Sequence, residues 1–212
     1  MLNQIQNINI PTICLNMIVK NESKIIERLL SSVVSIIDSY CICDTGSTDD
    51  TIDIIETFFE KHNIDGKIFE EPFKDFGYNR SIALKKAEGM SDYVLLLDAD
   101  MILIKGDFDK FILNQADSFC ILQGNENFYY KNMRIVKNNG LFKYCGVTHE
   151  HVSTPSNNKN INLGKQTLFI NDVGDGGSKK NKFERDIDLL QKGIQDEPNN
   201  VRYHFYLANS YK

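Results

Sequence analysis

The sequence predicts an α/β fold in which helices cover both faces of an open, mainly parallel sheet. Over the first hundred residues, four apolar runs alternate with segments of helical periodicity, which is the βαβ pattern of a parallel sheet. From residue 101 the pattern changes to short strands and polar loops, and from residue 179 it becomes helical. We therefore expect one domain over residues 1–178, divided near residue 100, and a C-terminal helical hairpin over residues 179–212.

Continuous apolar runs predict the strands, because strands of a parallel sheet are buried on both faces. In the first half, the predicted strands are residues 12–19, 40–43, 67–69 and 93–97. In the second half, the strand candidates are residues 118–123, 133–136 and 166–170. The first four strands, joined by helices, predict parallel neighbours whose carboxyl ends lie at one edge of the sheet.

Helices are predicted between these strands. Asn21 is expected to cap the first helix, and Ser47, with Asp50 three residues later, is expected to cap the second. A third helix is predicted over residues 81–87, after a loop at 72–77. The apolar faces of the first two helices are expected to be Ile26, Leu29, Leu30, Val33 and Ile37, and then Ile52, Ile55 and Phe59.

Two further helices are predicted after residue 179, separated by Pro198. The apolar residues of the first recur at helical spacing and are Phe183, Ile187, Leu190 and Ile194. In the second, the spacing of a tetratricopeptide repeat's first helix is seen at His204, Leu207, Ala208 and Tyr211. A helical cap on the preceding domain is an equally favoured interpretation. A repeat, in contrast, would predict that the chain continues beyond Lys212. The exposed sides of these helices are candidates for a protein partner or self-association.

Composition narrows the function class. The formal net charge of -5 gives no general attraction to polyanions, so nucleic acid is not expected as the main partner. No apolar run approaches the roughly 20 residues that span a bilayer, and residues 1–10 lack the basic and apolar regions of a signal peptide. The five cysteines are odd in number and lie mostly in apolar runs, which predicts buried free thiols and a reducing, cytoplasmic location.

Polar clusters follow three of the predicted strands, where open α/β sheets bind ligands. They are Lys20-Asn21-Glu22, residues 44–50 and Asp98-Ala99-Asp100. Two aspartates separated by one residue at a strand end can present one carboxylate to a hard divalent cation and the other to a ribose or a metal-bound water. Such a cation offsets the charge of a departing diphosphate. A solvated turn is the alternative for the aspartates alone, but their position directly after an apolar strand favours a metal site.

The second cluster contains two residues that local structure does not explain. Gly46 permits a tight turn, and helix capping accounts for Ser47 and Asp50. Asp44 and Thr45 have no such local role, and a carboxylate or hydroxyl there can accept a hydrogen bond from a base N–H.

These clusters, together with three further motifs, resemble the family 2 glycosyltransferases. The matching segments are Leu15 to Glu22, Asp44 to Thr51, Leu97 to Asp100, Phe76-Gly77-Tyr78-Asn79-Arg80-Ser81 and Gly146-Val147-Thr148-His149-Glu150. They occur in order between residues 12 and 151. The likeness is closest to the branch that includes lipopolysaccharide core glucosyltransferases and peptide glycosyltransferases with helical repeats.

The resemblance implies a GT-A fold, a UDP-sugar or other nucleotide-sugar donor, and Mn²⁺ or Mg²⁺. It implies a nucleotide-binding half near residues 12–100, an acceptor half over 101–178, and a glycan, lipid or protein acceptor. By position, the residues implied to bind the nucleotide sugar are Ile18, Val19, Lys20, Glu22, Asp44, Thr45, Arg80, Asp98 and Ala99. Thr45 stands where many relatives carry a second acid, so the contact with the base differs here.

The His149-Glu150-His151 run supplies the remaining candidates. An inverting transfer needs a base for the acceptor proton, and a carboxylate suits that role, so Glu150 is predicted as the base. Asp100 and Asp98 are the predicted metal ligands, with His149 as a third and His151 as its substitute. Asn171-Asp172 replaces a late histidine of relatives, and Asp172 or Asp175 is a further substitute ligand.

Other function classes fit less well. A dinucleotide-dependent oxidoreductase needs a glycine-rich turn after its first strand, where this chain has Val19-Lys20-Asn21-Glu22. An aspartyl phosphatase has its paired aspartates on the first strand, and a sugar-phosphate nucleotidyltransferase needs a glycine- and arginine-rich loop near its start. An inactive nucleotide-sugar-binding module with a helical docking tail is the remaining alternative. For Lys179, Lys180 and Lys182, a solvated loop is favoured over a basic lid.

Overall fold

The computed structural model describes residues 9–177 and 182–211. Lys179 and Lys180, and the predicted domain boundary at 178, lie outside the described residues. The helices are α1 Ile26–Val33, α2 Thr51–His62, α3 Phe76–Lys86, α4 Lys182–Asp196 and α5 Val201–Ser210, with a short 3-10 helix at Lys110–Gln115. The strands are β1 Ile13–Val19, β2 Ser39–Asp44, β3 Asp65–Glu70, β4 Tyr93–Leu96, β5 Met101–Lys105, β6 Ser118–Gly124, β7 Tyr129–Lys137, β8 Lys143–Cys145, β9 His151–Ser153, β10 Asn160–Asn162 and β11 Leu168–Asp172.

Within the described residues, nine of the strands form one open sheet in the order β3-β2-β1-β4-β7-β6-β11-β5, with β10 beside β6. The first four are parallel, as the sequence predicts. Strand β7 then runs antiparallel to both β4 and β6, and β5 closes the far edge antiparallel to β11. Strands β8 and β9 form a separate antiparallel pair. The α/β class is therefore confirmed, with a parallel first half and a mixed second half.

Helices cover both faces of the parallel half, which the continuous apolar runs predict. Leu15 and Met17 of β1 belong to the core that α1 and α2 complete with residues such as Leu29 and Phe59. The intervening Cys14 points to the opposite face, where it joins Leu84 of α3 in a second core. Residues of β1, β2 and β4 are thus buried on either face, which removes the polar alternation seen in half-exposed strands, whereas β3 at the sheet edge is largely exposed.

The predicted helix starts need correction. Asn21 does not cap α1; its backbone is left-handed with φ of 55°, and its Oδ1 accepts from the Thr48 N–H at 2.7 Å. Ser47 does not cap α2, which begins at Thr51, because the Ser47 hydroxyl donates to Asp44 Oδ1 at 2.6 Å. Both polar side chains therefore tie the ends of β1 and β2 together rather than starting helices.

Helix α3 begins five residues earlier than the sequence indicates. Its cap is Asp75, whose Oδ1 accepts from the Tyr78 N–H at 2.7 Å. The first turn docks on the loop after β8: the Phe76 N–H donates to the Val147 carbonyl at 3.0 Å. Gly77 is needed for this approach, because a Cβ there would lie 2.3 Å from the Gly146 carbonyl oxygen. The helix start is set by this tertiary contact, which local propensity does not reveal.

The C-terminal hairpin is present, and its buried face matches the predicted one in part, since Leu190 is fully buried and Ile187 and Ile194 are half-buried. Helix α4 buries Asp186, Leu189, Leu190 and Gly193, whereas Phe183 is 66% exposed. In α5 the buried residue is Tyr203, while Ala208 and Tyr211 of the repeat-like spacing are exposed. Gly193 determines the packing, because a Cβ there would lie 3.0 Å from the Tyr203 ring. The hairpin thus presents to the domain a face containing a buried acid.

Two sequence expectations concern the chemical setting of the chain. The five cysteines are free thiols, and burial raises the pKa of Cys14 and of Cys43 to about 12. Among the described residues, we find no helix with the length and apolar character that crossing a membrane would require. Unreactive, buried thiols of this kind act as small apolar side chains of the core.

We expect Phe59→Ala to lower the free energy of unfolding by about 3–5 kcal/mol, measured by urea denaturation. Phe59 is fully buried and stacks on Tyr40 with ring centroids 4.0 Å apart. Phe128→Ala is the control, because Phe128 is 68% exposed and should change stability by less than about 0.5 kcal/mol. Equal losses in the two variants would contradict the placement of the core on this face of the sheet.

Candidate active site

A cavity of ≈ 620 Å³ lies where β1, β2 and β4 reach their carboxyl ends. This is the edge at which open α/β sheets bind ligands. Elements from both halves of the sheet and from α4 contribute to its wall. Among the residues predicted from the sequence, those that line it are Ile18, Val19, Lys20, Glu22, Thr45, Arg80, Asp98, Ala99, Asp100, His149, Glu150 and Asp172.

Three predicted residues are not part of this lining. The buried Asp44 carboxylate accepts from the backbone N–H groups of Gly46 and Ser47, so it holds its own turn rather than facing a ligand. His151 is exposed on β9, where it pairs with Cys145, and does not substitute for His149. Asp175 forms an ion pair with Arg28 at 2.6 Å, and this hydrogen bond holds the pKa of Asp175 below its usual range.

Arg80 links the two acidic motifs of the cavity. Its Nε donates to Glu150 Oε1 at 2.7 Å, and its terminal nitrogen donates to Asp98 Oδ1. The arginine side chain is only 11% exposed, so these pairs are largely shielded from water. Burial works against the charged guanidinium, but the charges of Asp98 and Glu150 outweigh it and raise the pKa of Arg80 above its ordinary value. Docking of α3 on the loop at Gly146 and Val147 brings this side chain to Glu150.

Asp98 faces a second arginine. The Arg134 guanidinium lies 3.6 Å from Asp98 Oδ2, and it also donates to Gln123 Oε1 at 2.8 Å and to the Leu96 carbonyl at 3.1 Å. Arg134 is 7% exposed on β7, the strand that joins the two halves of the sheet. The Asp98 carboxylate is therefore compensated by cations from both halves.

Asp100 lies in a different electrostatic setting, beside Glu22. Asp100 is 7% exposed, and its backbone carbonyl accepts from the Val173 N–H at 3.1 Å, so the chain after β11 packs against it. Burial raises the pKa of Glu22, and the charge of Asp100 adds to this rise. The Gly177 N–H, which donates to the Glu22 carboxylate at 3.0 Å, lowers the pKa in part. This corner of the cavity thus concentrates negative charge, which a cation would relieve.

His149 is held in an unusual backbone conformation. Its φ of 50° lies in the left-handed region, which costs about 1 kcal/mol or more for a residue other than glycine. Its ring stacks on Tyr206 with centroids 4.0 Å apart, and its Nε2 lies 3.7 Å from Asp186 Oδ2. Burial lowers the pKa of His149, and Asp186 partly opposes this. The left-handed turn is thus secured by contacts with the C-terminal hairpin.

The donor chemistry of the cavity fits a hard divalent cation, although no complete ligand set is assembled. Among residues 9–177 and 182–211, no group of three or more His, Cys, Asp or Glu side chains could hold a metal ion. The predicted set of Asp98, Asp100 and His149 is therefore not gathered into a three-ligand site. Mg²⁺ typically takes one or two carboxylates, and substrate phosphates and water complete its shell. The acidic corner at Asp100 can provide the carboxylates.

Sequence reasoning missed several residues of the cavity wall. Gln123, Tyr130 and Arg134 line the cavity from β6 and β7, and polar residues at alternate positions of a strand were the available signal. Arg185 and Asp186 line it from α4. Here the signal was an acid within the apolar spacing of a predicted helix, and Asp186 is only 1% exposed.

Comparison with known proteins identifies the family of the chain. Residues 14–169 match the model of Glycosyl transferase family 2. The chain belongs to this family. The match covers the sheet and its acidic motifs but stops before α4 and α5, so the hairpin that completes the cavity lies outside it. The closer branch implied by the motifs stays a prediction.

Two curated relatives extend over most of the chain. The SPbeta prophage-derived glycosyltransferase SunS of Bacillus subtilis is 28% identical over 210 residues, covering 93% of this chain and 49% of the relative. An uncharacterized glycosyltransferase of Rickettsia typhi is 24% identical, covering 89% of this chain and 58% of the relative. The chain thus spans about half the length of the curated relatives it matches.

Solved structures share the fold at low sequence identity. S. aureus TarS 1-349 in complex with UDP superposes with a TM-score of 0.55 at 16% identity, covering 94% of this chain and 70% of that one. The mannosyltransferase PcManGT from Pyrobaculum calidifontis, in complex with GDP-Man and Mn2+, gives a TM-score of 0.56 at 12% identity, covering 96% and 69%. The predicted GT-A fold is confirmed by these likenesses.

Arg80→Met should lower the free energy of unfolding by about 3 kcal/mol, because it removes the cation paired with Glu150 and leaves Asp98 only the more distant Arg134. Arg80→Lys should lower the free energy of unfolding by less, because lysine retains the positive charge. Some loss is still expected, because lysine lacks the planar guanidinium that donates to both Asp98 and Glu150. Urea denaturation of both variants measures this order. A stable Arg80→Met protein would indicate that the carboxylates are not held together in solution.

Proposed function

We propose that the protein transfers a sugar from a nucleotide-sugar donor, probed first as a UDP-sugar, to an acceptor hydroxyl or comparable nucleophile. One observation carries this proposal: in a family 2 chain, Asp98, Asp100, Arg80 and Glu150 line a single cavity at the strand ends. A cavity of ≈ 620 Å³ lies within the usual range for small-molecule sites. It contains both a charge-binding corner and a separate carboxylate for proton transfer.

The nucleotide half of the donor is assigned to the ends of β1 and β2. Ile18 and Val19 supply an apolar wall, and the Thr45 hydroxyl, which donates to the Val19 carbonyl at 3.0 Å, retains lone pairs for a base N–H. Lys20 and Arg80 provide positive charge toward the diphosphate. The UDP bound to S. aureus TarS and the GDP-Man bound to PcManGT support a nucleotide-linked donor of this class.

A divalent cation, Mn²⁺ or Mg²⁺, is proposed to bind at Asp100. When bound, it would neutralise the charge that develops on the departing diphosphate. We assign Asp98 a supporting role, because Arg80 and Arg134 already face its carboxylate. Asp172 also lines the cavity and accepts from Gln123 Nε2 at 2.9 Å, which makes it a candidate to orient a bound water. The Mn2+ bound with PcManGT is in keeping with this choice of cation.

Glu150 is proposed as the base of an inverting transfer. Its Oε1 accepts from Arg80, so we assign proton acceptance to Oε2. The acceptor oxygen loses its proton to Glu150 and forms a bond to the anomeric carbon, while the bond from that carbon to the diphosphate breaks on the opposite face. The electron pair of that bond leaves with the nucleoside diphosphate. Arg80 keeps the base in place and close to Asp98 throughout.

The remaining assignments follow the layout of the sheet. We propose that residues 12–100 bind the donor, that residues 101–178 contribute the acceptor side, and that residues 179–212 form an appended helical unit. A glycan, lipid or protein acceptor is compatible with the open rim, and the exposed side of the hairpin is a candidate partner surface. The five free cysteines, three of them buried, support a reducing, cytoplasmic setting.

A donor panel separates enzyme from inactive binding module. We expect UDP release from at least one UDP-sugar in the presence of Mn²⁺, with EDTA abolishing it. Binding of UDP without release from any donor, with GDP-sugars included in the panel, would favour the module. Absence of both binding and release would reject the nucleotide-sugar proposal.

Asp100→Asn should reduce metal-dependent UDP release by on the order of 10²–10³-fold, because the amide carries no charge for the cation. The matched control is Asp107→Asn, since Asp107 is exposed on the loop after β5. Circular dichroism and thermal melting should show both variants folded. Full activity of Asp100→Asn across a Mn²⁺ titration would remove Asp100 from the metal assignment.

Glu150→Gln should lower turnover by about 10²–10⁴-fold while leaving UDP affinity within twofold. The amide keeps the size of the side chain but cannot accept the acceptor proton. Single-turnover UDP release measures the first quantity, and calorimetric titration with UDP measures the second. If turnover and affinity fall together, Glu150 belongs to the donor site and is not the base.

A further inference from the structure

We propose that the C-terminal hairpin positions the catalytic base, with Asp186 of α4 holding Thr148 and His149 so that Glu150 meets Arg80. This inference rests on the proposed role of Glu150. It assigns a positioning function to residues beyond the segment that matches the family, which ends at residue 169.

The argument begins with the loop that carries Glu150. Two residues of this loop are left-handed, Gly146 with φ of 105° and His149 with φ of 50°. A left-handed conformation is unfavourable for histidine and persists only where surrounding contacts enforce it. The loop joins two short strands, β8 and β9, which pair with each other. Contacts from outside this strand pair hold the left-handed His149 in place.

Asp186 supplies the central contact. Its Oδ1 accepts from the Thr148 hydroxyl at 3.2 Å, and its Oδ2 lies 3.7 Å from His149 Nε2. The acid is 1% exposed, and Arg185 donates to it at 3.1 Å. Burying a carboxylate is expensive unless it is paired and hydrogen-bonded, so this placement is held by the Thr148 hydroxyl and the Arg185 guanidinium, which both donate to Oδ1. A solvent-facing helix position would not need an acid satisfied in this way.

Helix α5 contacts the same loop from the other side. The Tyr206 ring stacks on His149 with an interplanar angle of 5°. Arg202 donates to the His149 carbonyl at 2.8 Å and lies over the Tyr206 ring. His149 is thus fixed at its ring and its carbonyl, and Glu150 follows directly in the chain. Because the next contact is the Glu150–Arg80 pair at 2.7 Å, a shift of the loop moves the base.

Close packing makes the hairpin and the loop one unit. A Cβ on Gly193 would lie 3.1 Å from Val147 Cγ2, so α4 approaches the loop as closely as its backbone permits. Thr148 and Val147 then connect this contact to the start of α3, where Phe76 donates to the Val147 carbonyl. The path from Asp186 to Arg80 therefore runs through packed and hydrogen-bonded atoms.

The test uses the smallest changes that break this path. Thr148→Val removes the hydroxyl that donates to Asp186 and keeps a similar shape, while Thr148→Ser keeps the hydroxyl. Asp186→Asn removes the charge from the other partner. Asp188→Asn is the matched control, because Asp188 lies on the same helix and is exposed. All four are made in the full chain and compared with the wild type for kcat, KM and UDP affinity, with Mn²⁺ present.

We expect Thr148→Val and Asp186→Asn to lower kcat by up to about 10²-fold, the usual penalty for a misplaced catalytic group. UDP affinity should stay within twofold, because the nucleotide is assigned to the ends of β1 and β2. Thr148→Ser and Asp188→Asn should retain kcat within threefold. The double variant Thr148→Val with Asp186→Asn should be no worse than the poorer single variant, as expected for two partners of one contact.

Other outcomes would overturn the inference. Wild-type kcat in both Thr148→Val and Asp186→Asn would show that the hairpin does not position the base. A parallel fall in UDP affinity would make the hairpin part of the donor site instead. If the wild-type chain itself releases no UDP from any donor, the proposed function fails first, and this result is distinct from an active wild type with unaffected variants.

Discussion

The pairing of one largely buried guanidinium with two carboxylates is the interaction on which this site depends. Asp98 comes from the end of β4, Glu150 from the loop before β9, and Arg80 from the second turn of α3. Without this arginine, Glu150 would lose its paired cation and Asp98 would keep only Arg134, which lies farther away at 3.6 Å. Three elements that are distant in sequence are therefore brought into one geometry by charge balance.

The same balance separates the roles of the two aspartates. In the sequence, Asp98 and Asp100 form a symmetric pair, but in the fold they face different neighbours. Asp98 lies between Arg80 and Arg134, whereas Asp100 lies beside Glu22. Burial raises the pKa of Glu22, and the charge of Asp100 raises it further. A cation is better accommodated where carboxylates lie close together, as Asp100 and Glu22 do. The asymmetry arises because β7 joins the sheet next to β4 and brings Arg134 with it.

Sequence patterns revealed the elements whose signal is local or periodic, and missed those defined by contacts across the chain. The buried strands β1, β2 and β4 were found because parallel strands covered on both sides must be apolar on both faces. The caps at Asn21 and Ser47 were wrong because the Asn21 side chain accepts from the Thr48 N–H and the Ser47 hydroxyl accepts from the Asn21 N–H, so each bonds to another segment. Arg134 was missed although it lies on one face of β7 with Tyr130, because that polar alternation does not show which acid the cation will meet until its partner, Asp98, is known.

The hairpin illustrates the same limit at the level of domains. Helical spacing correctly predicted α4 and α5, but it assigned the buried face to apolar residues such as Phe183, which is 66% exposed. The buried face holds Leu189 and Leu190 but also Asp186, because part of the surface that α4 covers is a polar loop with a left-handed histidine. A helix that covers such a loop needs an acceptor there, so its amphipathic pattern carries an acid where a leucine would be expected. Periodicity reports which side of a helix is buried only when the partner surface is apolar.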